Sequence, residues 1–87
     1  MRINTVTVRV AGKSYQLSGT QKPQHFEQLA QMVDRRIAEN AQLNPTAQAE
    51  VNAVAAALSF ADELVSARAE AARLRQQLEN VPPALTD

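Results

Sequence analysis

The side chains able to do chemistry are few and badly spaced for it. His25 is the one histidine, and with no cysteine in the chain a metal site there would need Glu27 and distant carboxylates. It reads instead as a surface residue in the first turn of a helix. Asp62 and Glu63 are neighbours, so on a helix they point in different directions and make a poor acid/base pair. The two glycines, Gly12 and Gly19, stand in no phosphate-binding pattern. One tyrosine, no tryptophan and 87 residues leave little from which to build a substrate pocket. The expectation is a protein that is not an enzyme, with no cofactor and no metal. Arg35-Arg36, Lys13 and Glu50 remain as charges able to touch a partner, each also explicable as part of a solvated face.

If the charged residues serve contact and not catalysis, the elements that carry them decide what is contacted. The dominant stretch is Thr46 to Asn80, free of glycine and proline and rich in alanine, leucine, glutamate, glutamine and arginine, the strong helix formers. Read as one helix of about 35 residues it is a rod of roughly 50 Å, longer than the rest of the chain could fold across. Part of it is expected to protrude.

With Ala57 as heptad position a, the a/d seam runs Ala57, Phe60, Leu64, Ala67, Ala71, Leu74, Leu78 and Val81 and is apolar throughout. A second stripe, Val51, Val54, Leu58, Ala61 and Val65, gives way to Ala72 and Glu79. The first half of the helix therefore has two faces to bury and the second half one. Glu63 and Glu70 fall at g, Arg68 and Arg75 at e. A parallel dimer would set Glu63 against Arg68 and Glu70 against Arg75 of the other copy, whereas antiparallel pairing opposes like charges. Each exposed pair is worth only about 0–1 kcal/mol, so the pattern biases orientation without driving association, and solvated surface charges would look the same. The small alanines admit two-helix and four-helix assemblies alike.

Upstream, Val6, Val8 and Val10 alternate with Thr5, Thr7 and Arg9, and Tyr15 and Leu17 resume the alternation after Ala11-Gly12-Lys13. This predicts a β-hairpin whose apolar face needs a covering helix. From Pro23, which suits a helix first turn, to about Leu43, Phe26, Leu29, Ala30, Val33, Ile37 and Ala41 recur at helical spacing opposite Gln28, Gln31, Arg35, Arg36 and Glu39. Asn44-Pro45-Thr46 is expected to break the chain, with Asn44 capping the long helix and Pro45 at its first position, so that the two helices form a hairpin. Pro82 and Pro83 end the rod.

The predicted fold class is α+β: an N-terminal β-hairpin, one amphipathic helix, then a long helix extending into an oligomeric coiled coil. Residues 1–60 form a small head, 61–81 the rod and 82–87 a disordered tail. Nine basic and nine acidic residues give a formal net charge of zero, which speaks against a nucleic-acid binder or a polybasic membrane anchor. The longest apolar run, Ala53 to Leu58, is too short to cross a bilayer and the amino end lacks a signal-peptide pattern, so a cytoplasmic home is expected.

Three blocks stand in order along the chain: Val6-x-Val8-x-Val10-x-Gly12-x-x-Tyr15-x-Leu17, then Met32-Val33-Asp34-Arg35-Arg36-Ile37, then Ala56-Ala57-Leu58-Ser59-Phe60-Ala61-Asp62-Glu63-Leu64. Together they resemble the ZapA family of bacterial cell division proteins. The last usually has Asn where Ser59 stands. The resemblance implies a non-enzymatic partner of the tubulin-like division protein FtsZ, acting at midcell. It further implies small heads made by two chains and long helices joined as a dimer of dimers, so that one particle bridges neighbouring protofilaments. On that basis Ala57, Phe60, Leu64, Ala67, Ala71, Leu74 and Leu78 are expected to make the oligomer, and exposed head charges such as Lys13, Arg35 and Glu50 to touch the filament. A different class of function, a coiled-coil adaptor joining unrelated proteins through its helical surface with the head only a cap, fits the residue pattern too.

Overall fold

The structure, a computed structural model, describes residues 2–80. Its elements in order are β1 (Asn4–Val10), β2 (Lys13–Gly19), α1 (Pro23–Leu43) and α2 (Ala49–Glu79). This is the expected α+β succession of a hairpin and two helices. The chain divides into two units between Ala56 and Ala57, so the first two turns of α2 belong with the hairpin and α1. The expected tail, 82–87, and the last seam position, Val81, lie outside the described residues.

β1 and β2 pair antiparallel with Val10 opposite Lys13, Val8 opposite Tyr15 and Val6 opposite Leu17. The connecting turn is two residues, Ala11 at φ 53° and Gly12 at φ 79°. Positive φ at both positions is what the right-handed twist of the strands demands of so short a loop. Glycine adopts it freely, but Ala11 carries a Cβ, and a left-handed alanine costs about 1–2 kcal/mol. Two contacts offset that cost: the Ala11 N–H donates to Asp34 Oδ1 at 2.8 Å, and Arg9 Nη2 donates to the Gly12 carbonyl at 3.1 Å. Farther along the hairpin, the Thr5 and Ser18 hydroxyls meet at 3.1 Å and Asn4 Nδ2 donates to the Gln21 carbonyl at 2.8 Å.

The valine alternation places Val8 in the core, with Val6 and Val10 partly covered and Thr5, Thr7 and Arg9 exposed. α1 packs on β1, burying Phe26 and Ala30. Phe26 rests on the backbone of Gly19: a Cβ built there would lie 2.8 Å from the far end of the ring. Gly19 therefore does more than end β2, because only a residue without a side chain lets the ring approach. The core is thin. Among the described residues its buried apolar side chains are Val8, Phe26, Ala30 and Ala56, joined by one polar side chain, Asn52.

α1 spans the expected residues, with Pro23 in its first turn and no side-chain cap from Lys22. The start of the long helix differs from expectation. Asn44 is the C-cap of α1, its N–H donating to the Asn40 carbonyl at 2.9 Å, and Ala47 N–H returns to the Asn44 carbonyl at 3.1 Å. Pro45 thus occupies the second position of a β-turn, a place its fixed φ suits as well as it suits a helix start. The first helical carbonyl is that of Gln48, which accepts from Asn52 at 3.2 Å. From Ala49 the helix runs unbroken for 31 residues, about 46 Å.

Candidate interaction surfaces

Two surfaces stand out, one on each unit. In the first unit, α1 lies over β1 and leaves β2 uncovered, although Tyr15 and Leu17 share the apolar face with Val8 and Val6. Tyr15 and Leu17 stay 49% and 37% exposed, and Leu29 on α1 41%. Between them opens a groove of about 570 Å³, lined by Val8, Val10, Tyr15, Leu17, Leu29 and Val33 among others. Lys13 and Glu50 also line it, so two of the three charges expected to touch a partner border one groove. Arg35 is exposed on α1 next to Asp34, whose carboxylate holds the hairpin turn that precedes Lys13. A smaller cleft of about 240 Å³ has Thr7, Arg9, Glu27 and Gln31 on its walls.

The second surface is the seam. From Ala61 to Asn80 every residue is exposed in the single chain, and of the seam residues before that point Ala57 is exposed and Phe60 partly covered. Leu64, Leu74 and Leu78 are 50%, 47% and 75% exposed. The second stripe, Val51, Val54, Leu58 and Val65, is open to solvent as well. A 3–4 alternation of apolar residues on a continuous helix is the geometry that buries itself only by laying another helix alongside. Burying a leucine or phenylalanine is worth about 1.5–3 kcal/mol relative to leaving it exposed. The single chain forgoes that stabilisation at each large seam residue.

Charges are distributed unevenly along the chain. The first unit holds six basic and four acidic side chains, net +2, and the remainder three basic and five acidic, net −2. Glu70 is engaged within its own helix: it accepts from Arg73 Nε at 3.3 Å and forms a second contact with Arg73 Nη2. An i,i+3 partner at Arg73 was not anticipated, because the heptad reading assigns Glu70 to Arg75 of another copy. The intrahelical pair is half-exposed, so it competes with such a cross-chain contact without forbidding it.

His25 is exposed at the first turn of α1, its ring 6.1 Å from that of Phe26 in an edge-on arrangement. Among the described residues no three His, Cys, Asp or Glu side chains converge as metal ligands, and no helix is long and apolar enough to cross a membrane. Sequence reasoning missed Asp34, Arg9 and Gly19 as residues that fix the head. Asp34 acts across 23 positions of chain, a separation that no local pattern records.

A two-stranded hairpin under one helix, followed by a long helix whose apolar seam is exposed at Leu64, Leu74 and Leu78, defines a small α+β protein. The family model described as cell division protein ZapA matches residues 6–87. Cell division protein ZapA of Geobacillus kaustophilus (strain HTA426) is 34% identical over 74 residues, covering 85% of this chain and 81% of the relative. The protein of the same name from Geobacillus thermodenitrificans (strain NG80-2) is 33% identical over 73 residues, covering 84% and 80%. Among solved structures, a ZapA mutant dimer from Geobacillus stearothermophilus superposes with a TM-score of 0.76 at 30% identity, over 92% of this chain and 93% of that one. The chain belongs to the ZapA family of cell division proteins.

Proposed function

We propose that this chain is a non-enzymatic cross-linker of FtsZ filaments, acting in the cytoplasm at the division site as a multivalent homo-oligomer. Copies pair along α2 through Ala57, Phe60, Leu64, Ala67, Ala71, Leu74 and Leu78, and two such dimers join as a dimer of dimers. Each copy brings its own hairpin and α1, so every added copy adds a filament-binding surface. The observation that carries the reading is the apolar seam, which lies open to solvent from Leu64 to Leu78. Self-association is supported by the likeness to a ZapA dimer, and the FtsZ partner by membership of the family.

Multivalence supplies the mechanism. Two weak contacts held on one particle gain effective concentration, so filaments are drawn together without a strong single site. Lys13, Arg35 and Glu50 are the proposed filament contacts. The net positive charge of the first unit favours a partner surface rich in carboxylates. The open groove beside β2 suits closure by the same region of a second copy, which would complete the thin core of the head. Co-sedimentation with FtsZ under assembling conditions tests the role. Pelleting with bundles visible by electron microscopy is expected at micromolar protein; an unchanged supernatant and single filaments would reject the partner.

A further inference from the structure

The block around Asp34 contributes nothing to the seam, yet its carboxylate makes a side-chain contact from α1 to the hairpin turn. Asp34 Oδ1 accepts the Ala11 N–H at 2.8 Å. Ala11 is also the only residue other than glycine with positive φ among those described. An alanine in that conformation leaves it readily unless something holds the peptide in place, and the carboxylate does so from a rigid helix. Lys13 follows the turn by two residues, is exposed, and borders the groove together with Glu50. Its direction is therefore set by the turn that Asp34 holds. We infer that Asp34 is a positioning residue for filament binding: by fixing the Ala11-Gly12 turn it aims the Lys13 ammonium at a carboxylate of the partner.

This inference rests on the filament-binding role proposed above and adds to it the residue that presets the contact. Preorganising a surface charge spares the entropy of ordering it at the moment of binding, so its loss weakens affinity without touching the contacting residue. Of the other charges, Arg9 donates from its guanidinium to the Gly12 carbonyl, and Arg35, next in sequence to Asp34, is exposed. Neither donates to the Ala11 carbonyl or accepts from its N–H in the described contacts, so the hold on that peptide is Asp34's.

The test compares the full-length chain with Asp34→Ala, Asp34→Asn, Lys13→Ala and the Asp34→Ala/Lys13→Ala double variant by FtsZ co-sedimentation across a concentration series, with molar mass measured alongside. Asp34→Ala is expected to weaken filament binding about three- to tenfold while the oligomer keeps its mass. Asparagine retains a neutral acceptor of the same shape and is expected to preserve most of the binding. The double variant should bind no worse than Lys13→Ala alone, because the two changes remove one coupled contact. Amide exchange at Ala11 should accelerate in the alanine variant and not in the asparagine one, which reports on the turn even if pelleting is lost. Unaltered binding by Asp34→Ala while the parent chain pellets, or losses that simply add to those of Lys13→Ala, would overturn the inference and leave the cross-linking role standing. A drop in oligomer mass would overturn it too, by making Asp34 a general structural residue. If the parent chain itself fails to pellet, the cross-linking role falls first and this inference with it.

Discussion

Replacing Leu74 by glutamate puts a charge on the seam where two copies are expected to meet. In the single chain Leu74 is 47% exposed, so about half of its side-chain area remains to be buried on association. Full burial of a leucine is worth about 1.5–3 kcal/mol, which leaves roughly 0.7–1.4 kcal/mol per copy and 1.4–2.8 kcal/mol per pair. Two glutamates brought together in the seam add a like-charge and desolvation cost, so about 2–4 kcal/mol per pair is a fair expectation. At 1.4 kcal/mol per decade this weakens the dimer about 30- to 1,000-fold. Sedimentation equilibrium over a concentration series reads the shift directly. Gln76→Glu at the outward f position serves as the control, since it adds the same charge without touching the seam. Smaller particles for Leu74→Glu, with the control unchanged, are expected, and FtsZ bundling should fall with particle size. A Leu74→Glu chain of unaltered mass at every concentration would refute the seam as the joint.

Other substitutions probe the head and the helix surface. Gly19→Ala forces a methyl to within 2.8 Å of the Phe26 ring and should destabilise the fold by about 1–3 kcal/mol, read as a lowered Tm. Ala11→Gly removes the strain of a left-handed alanine but adds backbone entropy to the unfolded chain, so a stabilisation of no more than about 1 kcal/mol is expected from denaturant titration. Arg73→Ala breaks the exposed pair with Glu70 and should change stability by less than about 1 kcal/mol, a cost that diminishes as salt is added.

The period-two valines and the 3.6-period face of α1 were legible because each records a choice between core and solvent at every residue. Val8, Phe26 and Ala30 are buried where those patterns put them. The boundary before α2 was not legible, since Asn-Pro serves a helix start and a β-turn with equal ease; the turn prevailed and the helix begins at Ala49. Tyr15 and Leu17 have the alternation of a covered strand, yet one helix over β1 leaves them in the open groove. The contact of Asp34 with Ala11, 23 positions away, leaves no trace in a local pattern, and that of Phe26 with Gly19, though near in sequence, depends on how α1 folds back over the hairpin. The seam was plain from its heptads. Other copies are its proposed cover, and a single chain's pattern does not specify their number.

The proposal that other copies cover the exposed seam residues Leu64, Leu74 and Leu78 leaves one copy incomplete by itself. Molar mass and helical circular dichroism, followed together as the unmodified chain is diluted from micromolar to nanomolar, test it most directly. A multi-copy particle at the upper end and a coupled loss of mass and helicity on dilution are expected. A monomer that keeps its full helical signal at the lowest concentration would contradict it.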